Sequence, residues 1–132
     1  MKLLVKKIIR KLKERKLKIS FVESCTGGLL SSTVTSISGS SKVFTFCIVV
    51  YSNKSKTDVL GIPKTVIKKY GSVSEQVCLA MVKNINKISK TNISISITGI
   101  AGPDGGSRTK PVGLVYIGIK IGNKIEVKKY LF

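Results

Sequence analysis

The chain has no histidine and no tryptophan, and among its 132 residues only six are acidic, three are proline and three are cysteine. The missing histidine removes the commonest metal ligand and the usual general base together, so a hydrolase built on this sequence needs another proton acceptor. Cys25, Cys47 and Cys78 are odd in number and widely spaced, which excludes a disulfide framework and a metal-ligand pair and reads as reduced thiols. No apolar run reaches the roughly 18 residues of a membrane span. The basic opening MKLLVKKIIRKLKERKLK never leads into a signal-peptide apolar region. Together these absences predict a soluble, cytoplasmic protein with neither a metal nor a membrane partner.

What is present is charge of one sign: 24 basic residues give a net charge of +18, and only Arg10, Arg15 and Arg108 are arginine. Such a field attracts phosphates and nucleic acid. The lysines are nevertheless spread along the whole chain without interleaved aromatics, which argues against nucleic-acid binding beyond non-specific electrostatics. At 42% hydrophobic residues, 132 residues suffice for one compact core and leave no room for a second domain.

Hydrophobic spacing orders the elements. Leu3, Leu4, Ile8, Ile9 and Leu12 predict an amphipathic helix over 3–16. LKISFVES (17–24) predicts a strand, and TGGLLSSTVTSISG a helix capped by Thr26 and ended by Gly39. VFTFCIVVY (43–51) is continuously apolar and predicts a strand buried on both faces. Two short helices follow, SKTDVLG and PKTVIKKYG, and then a longer one capped by Ser72 or Ser74 with Val77, Met81, Ile85 and Ile88 on one face. NISISIT (92–98) reads as a strand, GIAGPDGGSRTKP (99–111) as a long ordered loop, and VGLVYIGIKIG and KIEVKKYLF as a hairpin turning at Gly122 and Asn123. Helices alternating with strands and finishing in a hairpin predict a three-layer α/β/α sandwich with a mixed, mainly parallel sheet.

Three polar segments rich in small residues each follow a predicted strand: ESCTGG (23–28), YSNKSK (51–56) and TGIAGPDGG (98–106). Sites in open α/β sheets form outside the carboxyl ends of strands, so these turns are expected to converge. Gly27 and Gly28 let backbone amides approach an anion or an oxyanion, with Ser24 beside them as candidate nucleophile and Cys25 as its rival. Without histidine, activating a serine needs a lysine, a tyrosine or a carboxylate; a desolvated lysine can serve as base, and Lys56 is the leading candidate, with Tyr51 to orient it or relay a proton. Asp104 and Arg108 of the third turn are candidates to contact a polar or phosphorylated ligand.

ESCTGG, GSSKVFTFCIVVYSNKSKTDVLGI, YGSVSEQVCLAM and TGIAGPDGGSRTKPVGLVY, in this order over residues 19–119, resemble the successive signatures of the CinA C-terminal domain family. The resemblance implies a nicotinamide mononucleotide deamidase, an amidohydrolase that needs no cofactor. It implies Ser24 as nucleophile, Lys56 as its partner and Tyr51 assisting, with Thr26, Gly27, Gly28, Thr98 and Gly99 around the nucleotide substrate. It also implies that residues 1–132 form one such domain, shorter at its C-terminal end than the family pattern, which continues into a Gly-Asp-Arg motif and a last helix. The alternative is a non-catalytic domain that keeps the nucleotide pocket. A sheet face without that helix is expected to be covered by another subunit in a homo-oligomer.

Overall fold

The computed structural model describes residues 1–132. Five strands, β1 (Ile19–Glu23), β2 (Phe44–Val49), β3 (Ile93–Gly99), β4 (Leu114–Ile121) and β5 (Lys124–Leu131), form one sheet in the order β2-β1-β3-β4-β5. β1 pairs in parallel with β2 and β3, while the β3–β4 and β4–β5 pairs are antiparallel. The sheet is therefore mixed, with four of its strands running in one direction.

Helices α1 (Lys2–Glu14) and α2 (Leu29–Thr35) cover one side, where Ile9, Leu12 and Val34 pack with Phe21 and Ile19. On the other side α4 (Lys64–Tyr70) and α5 (Glu75–Ser89) bury Ile67, Val77, Met81 and Ile85 against Val22 and Val50. Short α3 (Asn53–Asp58) follows β2. The expected three-layer α/β/α sandwich is thus present. Over β4 and β5 only α5 contributes a covering layer, and on the opposite side Val115, Ile117 and Ile119 stay half-buried and Ile121 exposed. No helix is long and apolar enough to cross a membrane.

Three expectations are corrected. The strand buried throughout is β1, not β2. β2 lies at the sheet edge, so its Phe46 and Val49 remain exposed, and the continuous apolar run there marks only half-burial. Thr26 does not cap α2. Gly27 and Gly28 both adopt positive φ (56° and 100°), so the helix begins only after Gly28. It also ends at Thr35, and Gly39 leads instead into a 3-10 turn at Ser40–Lys42. The last correction concerns Ile88, which is exposed at the end of α5 rather than on its buried face. Ser74 is the α5 cap, accepting from the Val77 amide at 3.2 Å.

Beneath α5 the sheet presents a row of hydroxyls beside Val22. Ser20, Ser94, Ser96 and Thr98 are all buried. Ser20 bonds Ser94 at 2.9 Å, Asn86 of α5 donates to Ser94 at 2.9 Å, and Ser96 donates to the Cys78 carbonyl at 2.9 Å. No buried side-chain nitrogen or oxygen lacks a partner, so this seam fixes how α5 sits on the sheet without a desolvation penalty left open.

Candidate active site

The chain leaves β1 for β2 on one side and later reaches β3 on the other, which makes the carboxyl end of β1 a topological switch point. Ser24 occupies that position: its amide donates to the Ile97 carbonyl of β3 at 3.0 Å, anchoring the turn to the neighbouring strand. A cleft of about 410 Å³ opens there, and the three strand-end turns meet in it as expected. The first supplies Ser24 and Cys25, the second Tyr51 and Lys56, the third Thr98, Gly99 and Asp104.

Lys56 is carried on α3, whose N-terminus is capped by Ser52 accepting from the Ser55 amide at 3.0 Å. Its Nζ lies 2.9 Å from Ser24 Oγ, 2.8 Å from the Val50 carbonyl and 3.4 Å from the Tyr51 carbonyl. The side chain is 1% exposed and forms no salt bridge with a carboxylate. Burial pushes its pKa below the ordinary lysine value, only partly opposed by the nearby Cys25 thiol. An ammonium would donate to all three oxygens, whereas a neutral amine donates to the two carbonyls and offers its lone pair to the Ser24 hydroxyl; burial favours the second arrangement.

The other candidates divide by what the structure does with them. Tyr51 lines the cleft, but its ring is largely exposed and only its carbonyl touches Lys56. Cys25 also faces the cleft; burial raises its thiol pKa, which disfavours the thiolate a cysteine nucleophile needs. Thr98 donates to the Ser72 carbonyl at 2.9 Å, and Gly99 is packed so closely that a Cβ there would lie 2.7 Å from the Leu114 carbonyl. Thr26, Gly27 and Gly28 are not in the cleft wall. The Thr26 hydroxyl and the Gly28 amide both donate to Glu23, and the Gly27 amide donates to the Ser24 carbonyl. Those groups are therefore unavailable to a ligand. Arg108 is exposed outside the cleft, and Lys110 lines it instead, tethered to the Tyr70 carbonyl at 2.6 Å.

Two contributors escaped the sequence. Gly71, Ser72 and Val73, between α4 and α5, form part of the wall because Thr98 ties this segment to β3. Glu23, read as the end of a strand, is completely buried and accepts from three amides and two hydroxyls. It and Lys56 are the two buried charged residues of the chain, and both adjoin Ser24. The signal in the sequence was an acidic residue, one of only six, placed directly before the candidate nucleophile.

A three-layer α/β domain with a serine and a desolvated lysine in contact at the switch point of its sheet is the class these features define. Within that class, the CinA C-terminal domain family matches residues 1–132, and the chain belongs to it. It is 56% identical over 126 residues to a CinA-like protein of Prochlorococcus marinus strain AS9601, covering 95% of this chain and 30% of that protein. The chain thus spans less than a third of that relative's length. A competence/damage-inducible protein from Agrobacterium tumefaciens has the same fold at TM-score 0.96 and 38% identity, over 99% of this chain and 80% of the solved one. A competence or damage-inducible protein from Enterobacter asburiae superposes at TM-score 0.93 and 33% identity, over 98% and 81%.

Proposed function

We propose that this chain is a serine amidohydrolase that deamidates nicotinamide mononucleotide to the corresponding acid and ammonia. The observation that carries the reading is the 2.9 Å contact between Lys56 Nζ and Ser24 Oγ in a buried setting without a counter-ion. Neutral Lys56 takes the Ser24 hydroxyl proton as Oγ attacks the carboxamide carbon, forming a tetrahedral oxyanion. Collapse of that intermediate breaks the C–N bond, and the proton held by Lys56 passes to the departing nitrogen, releasing ammonia. Water, deprotonated in turn by Lys56, attacks the Ser24 ester and regenerates the hydroxyl while the acid leaves. Lys110 and Asp104 at the cleft wall are the polar groups from which the nucleotide portion takes its contacts.

The test is ammonia release from nicotinamide mononucleotide by the purified chain, with calorimetric binding measured in parallel. Release establishes the activity; binding without release makes this a non-catalytic nucleotide-binding domain, and neither result leaves the family fold without this substrate.

The lowered Lys56 pKa gives the activity a definite pH dependence. Only the neutral amine accepts the Ser24 proton, so the rate rises with pH along a limb governed by Lys56 and levels off once the amine is deprotonated. The midpoint is expected below the roughly 10.4 of a solvated lysine. A rate that falls across that range, or a limb that survives Lys56→Ala, would show that another group is the base.

A further inference from the structure

Of the two buried charges beside Ser24, the mechanism uses only Lys56, which leaves Glu23 without a role. Its carboxylate points to the side of the sheet that carries α2, away from the cleft, and no cation pairs with it. Oε2 accepts from the Thr26 hydroxyl at 2.6 Å and from the amides of Gly28 and Leu30 at 3.1 Å each. Oε1 accepts from the Ser31 amide at 2.8 Å and the Ser31 hydroxyl at 2.5 Å. Burial alone raises a carboxyl pKa, yet the hydrogen bonds from Ser31, Thr26 and Leu30 outweigh it and hold Glu23 below the ordinary value, so it is ionised.

This arrangement has a chemical consequence for the turn. The first amides of a helix form a ready anion site, and here an internal carboxylate consumes those of Gly28, Leu30 and Ser31. The Cys25 amide, by contrast, donates to no backbone carbonyl and belongs to a residue of the cleft wall, where its nearest acceptor is the Cys25 sulfur. It directly follows Ser24, where a donor must be fixed before reaction if it is to stabilise an oxyanion.

We propose that Glu23 is the positioning residue of the Ser24 turn: by tying Thr26 and the start of α2 into one rigid loop, it holds the Cys25 amide in place as an oxyanion donor. The inference rests on the reading of Ser24 as nucleophile. Glu23 touches no reacting atom and acts only through the backbone it holds. A carboxylate suits the task because every group that bonds it, the Cys47 thiol at 3.9 Å included, is a donor. A glutamine would turn its own N–H groups against some of them, splaying the turn at unchanged size.

The experiment follows phosphonylation of Ser24 by a fluorophosphonate, in which the Oγ–P bond forms, fluoride leaves and Lys56 takes the hydroxyl proton. Its phosphoryl oxygen draws on the same donor whatever the natural substrate, and the rate is measured against pH for the wild type, Glu23→Gln and Thr26→Val. Glu23→Gln is expected to lower the limiting rate by about tenfold or more with the midpoint of the rising limb unmoved, because Lys56 is untouched. A folded Glu23→Gln protein that reacts at the wild-type rate overturns the inference. So does one whose midpoint moves toward that of a solvated lysine, because that result means general loosening of the site. Thr26→Val removes one tether at nearly constant volume, so it decides the matter if Glu23→Gln does not fold; a severalfold lower rate supports the role, and an unchanged rate overturns it. A wild-type chain that is not labelled at all, or is labelled equally after Ser24→Ala, overturns the nucleophile reading and this inference with it.

Discussion

Ser24→Ala is expected to lower ammonia release by about three orders of magnitude or more while the protein melts at nearly the wild-type temperature. The hydroxyl is the only group in the contact that can form the ester, so its removal leaves the cleft able to bind and unable to turn over. Lys56→Ala is expected to cost a comparable factor, because a serine with an unperturbed hydroxyl is a poor nucleophile at neutral pH. The decisive comparison is the double variant. Residues that act as one unit lose their effect together, so Ser24→Ala with Lys56→Ala should be no slower than either single change, whereas independent residues would multiply their losses. Steady-state ammonia release by the four proteins distinguishes the two patterns, and substantial turnover in either single variant would rule out the pair.

The same site shows why sequence carried some of its parts and hid others. Ser24 was legible because it directly follows β1, Lys56 because its segment follows β2, and Thr98, still within β3, through the family resemblance; alternating strands and helices bring these strand ends to one edge. Thr26 and Gly28 misled, since a threonine before two glycines looks like a cap and an anion loop. Which acceptor occupies those donors depends on a carboxylate reaching across from the end of β1, and no local pattern records that reach. Burial was misjudged for a related reason. β2 displays an unbroken apolar run at a sheet edge, while β1 hides Ser20 and Glu23 within the most enclosed strand. Hydropathy reports the side chain alone; strand order and hydrogen-bond partners, which settle the burial of Ser20 and Glu23, are properties of the assembled sheet.

That enclosed strand links stability to the site, since β1 ends at Ser24 and its backbone sets where the nucleophile stands. Phe21 is its largest apolar side chain, 2% exposed, packed with Leu12, Val34 and Ile37 and stacked on Phe44 at 5.0 Å between ring centroids. Truncation to alanine removes the ring from the middle of a sandwich whose helix and sheet layers cannot both close over the gap. Phe21→Ala is therefore expected to cost about 3–5 kcal/mol, the transfer free energy of the ring plus the cavity it leaves. Against a total of about 5–15 kcal/mol for a domain of this kind, such a loss takes a large share of the stability. Urea unfolding of the variant should give a lower midpoint at an unchanged slope, the signature of lost stability without a change in the surface exposed on unfolding. A loss under about 1 kcal/mol would mean that α1 and α2 collapse onto β1 and refill the space, and the packing of that face would then not be what holds the Ser24 turn in place.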